Sequence, residues 1–162
     1  GGISPTTAAH VAQSLDGRVS VILDGGACAR GIESTIIAIE GDRVRLLRPG
    51  PIIITGAEKS ASNKIEAPGM MTSHYAPSKS LRCNVTVASD DEYHIGFGSI
   101  AGIDNLSVSG SPIEAAANLF AALHRADAST KAAIAVAPIN GDDPLIEAII
   151  DRLTRAAAPR NQ

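Results

Sequence analysis

Residues 56–80 constrain the fold more than any other stretch of this chain. They are rich in Ala, Ser, Lys, Asn, Gly and Pro and sustain neither a two-residue nor a 3.6-residue hydrophobic period. Neither a core strand nor a core helix is expected to run through them, so the chain should fold as two pieces joined by a connector. The expected boundaries are 1–57, 58–80 and 81–162. A first piece of about 57 residues with one helix buries too little surface to be a whole domain. The connector is itself unusual. Its segment "APGMMTSHYAP" (67–77) places Met70, Met71, His74 and Tyr75 where small, indifferent residues are the norm.

In the first piece, Ser4 followed by Pro5 reads as a helix cap with proline at the first helical position. Ala8, Val11, Ala12 and Leu15 then share a helical face, and Asp16-Gly17 supplies the stop. "RVSVILDGG" reads as a buried strand, and "ESTIIAIEGDRVRLLRPG" as two strands joined at Gly41-Asp42. "PIIIT" adds a brief apolar run.

In the second piece, "LRCNVTV", "YHIGFGS" and "NLSVSG" are expected strands. "PIEAAANLFAALHRADAS" is an expected helix, with Ile113, Ala116, Ala117, Phe120 and Leu123 on its apolar stripe. Ser111 caps it and Glu114 completes a capping box. "KAAIAVAPI" is a continuous apolar run, as in a strand covered on both faces. A last helix should turn Ile146, Ile149, Ile150 and Leu153 inward. Strand, helix, strand, helix implies a parallel sheet with crossover helices, an α/β class.

The net charge of −3 argues against a broad nucleic-acid surface, and with no Trp, two Phe and two Tyr the stacking platforms for single strands are missing. Apolar runs fall well short of the roughly 20 residues of a membrane helix. A soluble, cytoplasmic protein is expected, with Cys28 and Cys83 as free thiols. The nucleotide-loop motifs GxGxxG and GxxxxGK[ST], the metalloprotease HExxH and the hydrolase GxSxG are absent from the sequence, and the four histidines are scattered. No metal site and no catalytic base is legible. Three positions have chemical potential. Ser4 heads a helix whose open N–H groups suit a phosphate, though capping serines are common. Ser34 and Thr35 alternate faces, so only one of them enters a given pocket. Arg48 ends an apolar strand, where a guanidinium reaches a carboxylate or phosphate or simply solvent.

Taken together, "GGISPTTAAHV", "ILDGG", "GIESTI", "LLRPG", "APGMMTSHYAP" and "DRLTRAAAPR" resemble, in order and spacing, the C-terminal part of a two-domain L-threonylcarbamoyladenylate synthase of the YrdC-like family. The resemblance covers essentially the whole chain. It implies the end of a YrdC-like twisted-sheet α/β domain, an extended linker and a small Rossmann-like domain.

The implied reaction joins L-threonine, bicarbonate and ATP into threonylcarbamoyl-AMP and pyrophosphate, with Mg²⁺ bridging the phosphates. A transferase complex then passes the threonylcarbamoyl group to tRNA. By the same resemblance Ser4 and Arg48 lie on the ATP side, Ser34 and Thr35 near threonine, and His74 and Tyr75 gate the cavity from the linker. The methionines are expected to fill apolar gaps. The family's basic signature and its Ser-x-Asn motif would precede residue 1, so these residues alone are expected to be catalytically incomplete. The competing reading is an RNA-binding, translation-associated module, against which the net acidity argues.

Overall fold

The computed structural model describes residues 2–59, 65–69, 71 and 73–159. Two sheets organise them. Helix α1 (Ala8–Leu15) comes first, followed by strands β1 (Ile36–Glu40), β2 (Arg43–Arg48) and β3 (Glu58–Lys59). β1 and β2 form the expected antiparallel hairpin around Gly41, whose φ of 60° suits the tight turn. β3 pairs parallel to β2, so residues 58 and 59 extend the first sheet.

The second sheet comprises β4 (Ser80–Arg82), β5 (Glu92–Gly96), β6 (Asp104–Asn105) and β7 (Ala133–Val136) in the order β4-β7-β5-β6, every pair parallel. α2 (Pro112–Ala128) connects β6 to β7, and α3 (Pro144–Ala157) follows β7. β7 is the apolar run "AIAV" at the centre of the sheet, with Ile134, Ala135 and Val136 fully buried. A strand flanked on both sides and covered by helices has no solvent face to make polar, hence its continuous apolar sequence.

The main core joins α2 (Leu119, Phe120, Leu123) to the sheet (Ile95, Ile134, Val136) and to α3 (Ile149, Leu153). The helical stripes are rotated relative to expectation. α2 buries Ala115, Leu119, Ala122 and Ala126 beside Ala116, Phe120 and Leu123, while Ile113 is 74% exposed in the first turn. α3 turns Ile150 outward and Arg152 fully inward. Periodicity finds a helix but leaves its rotation open by a residue, because the packing partner sets the centre of the buried arc.

The cap of α2 is also rewired. Ser111 accepts from the Glu114 N–H, but Glu114 does not reach back to Ser111. Its carboxylate accepts from the Ser107 hydroxyl at 2.5 Å, and that hydroxyl accepts from the Ser111 N–H at 2.8 Å.

Two expectations for the first piece are corrected. "RVSVILDGG" is not a buried strand; Val21 and Leu23 are 73% and 91% exposed, and residues 18–26 pair with no strand among the described residues. A strand needs a neighbour for its backbone groups. Ser4 does not cap α1. Thr7 does, accepting from the His10 N–H, and Asp16 in the left-handed region ends the helix.

Candidate functional site

The β1–β2 register brings the sequence-predicted residues together. Ile36 faces Arg48, so Ser34 and Thr35, just ahead of β1, lie beside the arginine that ends β2. Arg48 is only 8% exposed. Its Nε donates to the Ser34 carbonyl at 3.1 Å and its Nη2 to the Ser34 hydroxyl at 3.4 Å. Its Nη1 donates to the carbonyl of Pro68, in the connector, at 3.1 Å. One guanidinium thus clamps the Ser34 turn to the connector, and the planar fork of arginine suits three acceptors in different directions. Thr35 has another task. Its hydroxyl donates to the Ile52 carbonyl and accepts from the Ile52 N–H, which pins the following loop.

The connector is fastened at several points. Pro68 is held by Arg48, while Arg155 of α3 donates to the Met71 carbonyl at 2.8 Å and accepts from the His74 N–H at 3.2 Å. Lys79 Nζ donates to the Ala126 and Ser129 carbonyls at the end of α2, where a cation complements the helix dipole. Between these ties, Tyr75 adopts a φ of 61° and is 1% exposed, its ring 5.4 Å from Phe120 and edge-on to His74 at 4.2 Å.

The Tyr75 hydroxyl reaches back towards Arg48. A Cβ on Gly69 would lie 2.2 Å from that oxygen and 3.2 Å from Arg48 Nη1, so only glycine, with its φ of 85°, fits between them. Tyr75 therefore packs on the helices of the second sheet while its polar end points at the first. Met71 is 50% exposed rather than filling a gap. Met70 lies outside the described residues.

Ser4 joins from a third direction. Its hydroxyl donates to the Glu33 carboxylate, and its carbonyl accepts from His124 at 3.1 Å. Glu33 also receives Arg152 Nε at 3.0 Å; Arg152 is fully buried, donates Nη1 to Asp151 at 2.9 Å, and stands 5.5 Å from the centre of the Tyr75 ring. Asp151 in turn pairs with Arg155.

Glu33, Asp151, Arg152 and Arg155 were missed by sequence reasoning. Arg152 left a signal. It is a charged residue three positions after Ile149 and directly before Leu153, on the apolar arc of an amphipathic helix. Burial raises the Tyr75 phenol above its usual range, with Glu33 adding to the effect and Arg152 and Arg48 opposing it. Burial lowers His74, helped by nearby positive charge and opposed by Glu33. His10 and His124 stack at 3.7 Å, and burial is the first cause lowering each.

Residues 32–158 match the family described as threonylcarbamoyl-AMP synthase, C-terminal domain, and residues 1–50 match the family described as telomere recombination. The chain belongs to the threonylcarbamoyl-AMP synthase C-terminal-domain family. Threonylcarbamoyl-AMP synthase of Bacillus subtilis is 40% identical over 90 residues, which is 48% of this chain and 26% of that protein. The enzyme of the same name from Schizosaccharomyces pombe is 33% identical over 110 residues, 57% of this chain and 27% of that protein.

The fold is similar to a crystal structure of P. abyssi Sua5 complexed with L-threonine, with a TM-score of 0.79 at 27% identity, covering 97% of this chain and 55% of that one. It is also similar, with a TM-score of 0.76 at 25% identity, to a P. abyssi Sua5 variant in which an adjacent histidine and tyrosine are replaced by alanine; that match covers 96% of this chain and 54% of the other. The matched regions thus span about a quarter of the two curated relatives and about half of the solved chains.

Proposed function

We propose that this chain carries the threonine side and part of the ATP side of an L-threonylcarbamoyladenylate synthase. Residues 1–57 end its catalytic domain, 58–80 form a covering connector and 81–162 a second domain. The observation that carries the reading is the Arg48 clamp, a nearly buried guanidinium joining Ser34 to the connector at Pro68. Family membership and the likeness to a threonine-bound Sua5 support it.

In this reading Ser34 contacts threonine, and Thr35 shapes the same pocket by holding Ile52. Ser4, tied to Glu33, orders the turn on the ATP side. Arg48 exchanges its neutral Pro68 acceptor for a phosphate of ATP, because a charge-assisted bond to phosphate is the stronger of the two. Loss of the Pro68 tie then couples nucleotide arrival to connector movement at His74 and Tyr75. The carbamate oxygen, formed from threonine and bicarbonate, attacks the α-phosphorus and pyrophosphate leaves. The protein's share of that step is positioning and cationic stabilisation. Mg²⁺ enters with ATP as part of the substrate. Among the described residues no group of three or more His, Cys, Asp or Glu side chains could hold a metal. The product would pass to a tRNA threonylcarbamoyl transferase complex in the cytoplasm. No helix among the described residues is long and apolar enough to cross a membrane.

Calorimetric titration of the intact protein with L-threonine and with ATP, with pyrophosphate release as the activity readout, tests this reading. Ser34→Ala should weaken threonine binding and Arg48→Met should weaken ATP binding, each about tenfold or more, as expected for loss of a buried or charged hydrogen bond. Unchanged affinities in both variants would overturn it.

A further inference from the structure

We propose that Arg152, on the last helix, is a positioning residue for this site: it holds Glu33, and hence the Ser34 turn, against Tyr75 of the connector. The inference rests on the proposed threonine and ATP site but names a residue from the opposite end of the chain, and so gives the second domain a part in binding.

Arg152 is fully buried in a helix whose neighbouring inward positions are Ala148, Ile149, Leu153 and Ala156. A buried guanidinium is expensive even when paired, and replacing a whole buried ion pair by apolar residues of similar volume is often neutral or stabilising. Its pairing is also incomplete, since Nη2 has no partner among the described residues.

What the arrangement does achieve is geometric. Arg152 Nε fixes one oxygen of Glu33 at 3.0 Å while the Ser4 hydroxyl holds the other. That orients the backbone leading directly into Ser34. Its guanidinium carbon stands 5.5 Å from the Tyr75 ring centre, within reach of a cation–π contact. Through Asp151 it is linked to Arg155, which grips the connector at Met71 and His74. The segment at Ser4, the turn at Glu33, the connector and α3 therefore meet at one side chain. Removing it frees the Ser34 turn and Tyr75 together, although Arg152 is not placed to touch the reacting atoms.

Residues 1–162 hold no Trp and only two Tyr, so within them Tyr93→Phe leaves Tyr75 as the sole bright fluorophore. In that background Arg152→Met should make Tyr75 markedly more accessible to acrylamide quenching while the far-UV circular dichroism of the folded protein is kept. In the intact protein threonine affinity should fall about tenfold, the scale of a misplaced binding group. Arg152→Lys should recover only part of each effect, because an ammonium lacks the fork that spans Glu33 and Asp151. If Arg152→Met does not fold, Glu33→Gln/Arg152→Met removes both charges at once and should fold yet show the same loss of quenching protection.

Unchanged quenching and unchanged threonine affinity in a folded variant would overturn the proposal. A rise in quenching in a protein whose unmodified form binds no threonine would uphold the positioning of the connector and sink the functional reading instead.

Discussion

The two sheets are of similar size and differ in what covers them. The four-stranded sheet carries α2 and α3, and nearly all the fully buried side chains belong to it. In the three-stranded sheet Arg48 is the only buried strand residue, and Ile39 is 71% exposed. Beside it Ile52 and Ile53 are 62% and 65% exposed, and α1 buries no residue at all. Among the described residues the core is built on the four-stranded sheet, and Ile3 and Ile32 of the first piece join it; burial needs a second layer and not merely a hydrophobic face. The candidate site lies where the three-stranded sheet is strapped to the four-stranded one.

The widest test of this contrast is truncation. Phe120→Ala should cost about 3–5 kcal/mol in urea denaturation, as for a large core ring. In residues 1–162 alone Leu23→Ala and Ile39→Ala should stay within about 0.5 kcal/mol, as for surface positions. Equal costs would mean that the first region hides a core of its own.

Next in size is Gly69→Ala. It forces a side chain into the left-handed region and onto the Tyr75 hydroxyl, so a penalty of about 1–3 kcal/mol is expected, together with greater quenching of Tyr75. A smaller effect would mean that the connector shifts freely there.

The helix caps sharpen the comparison further. Ser111→Ala should lower global stability by about 1 kcal/mol. Thr7→Ala, at the head of a helix with no buried residue, should raise hydrogen exchange in α1 without moving the urea midpoint.

The smallest expected effect is acid sensitivity at the His10–His124 stack, which ties α1 to α2. Both histidines titrate below their ordinary value of 6.5 in the folded protein. The unfolded chain therefore takes up protons first as pH falls, so their contribution is intact above 6.5 and is lost as pH drops through the folded values. A His10→Gln/His124→Gln variant should show a flatter stability profile across that window, and an unchanged slope would remove the stack from the account.

Much of the fold follows from sequence alone. The Gly41 turn flanked by "IIAIE" and "RVRLLR" specifies a hairpin, "AIAV" between two amphipathic helices specifies a central parallel strand, and Ser111-Pro112 specifies where α2 begins. These are local signals, each carried by period or by backbone chemistry; the pairing of Ile36 with Arg48, which sets Ser34 beside the arginine, depends on a register shift between Ile36 and Ile37 that they do not specify. Tertiary structure decided the rest. "SVILDGG" has the composition of a strand, yet among the described residues no strand pairs with it and Val21 and Leu23 are exposed. Arg152 reads as one more charge on a helix until Glu33, well over a hundred positions earlier, supplies its acceptor. Tyr75 was legible as unusual, but its packing against Phe120 and its reach to Arg48 depend on how both sheets close on the connector. Periodicity reports which side of an element turns away from water, whereas a site is a meeting of distant elements, and only packing determines which of them meet.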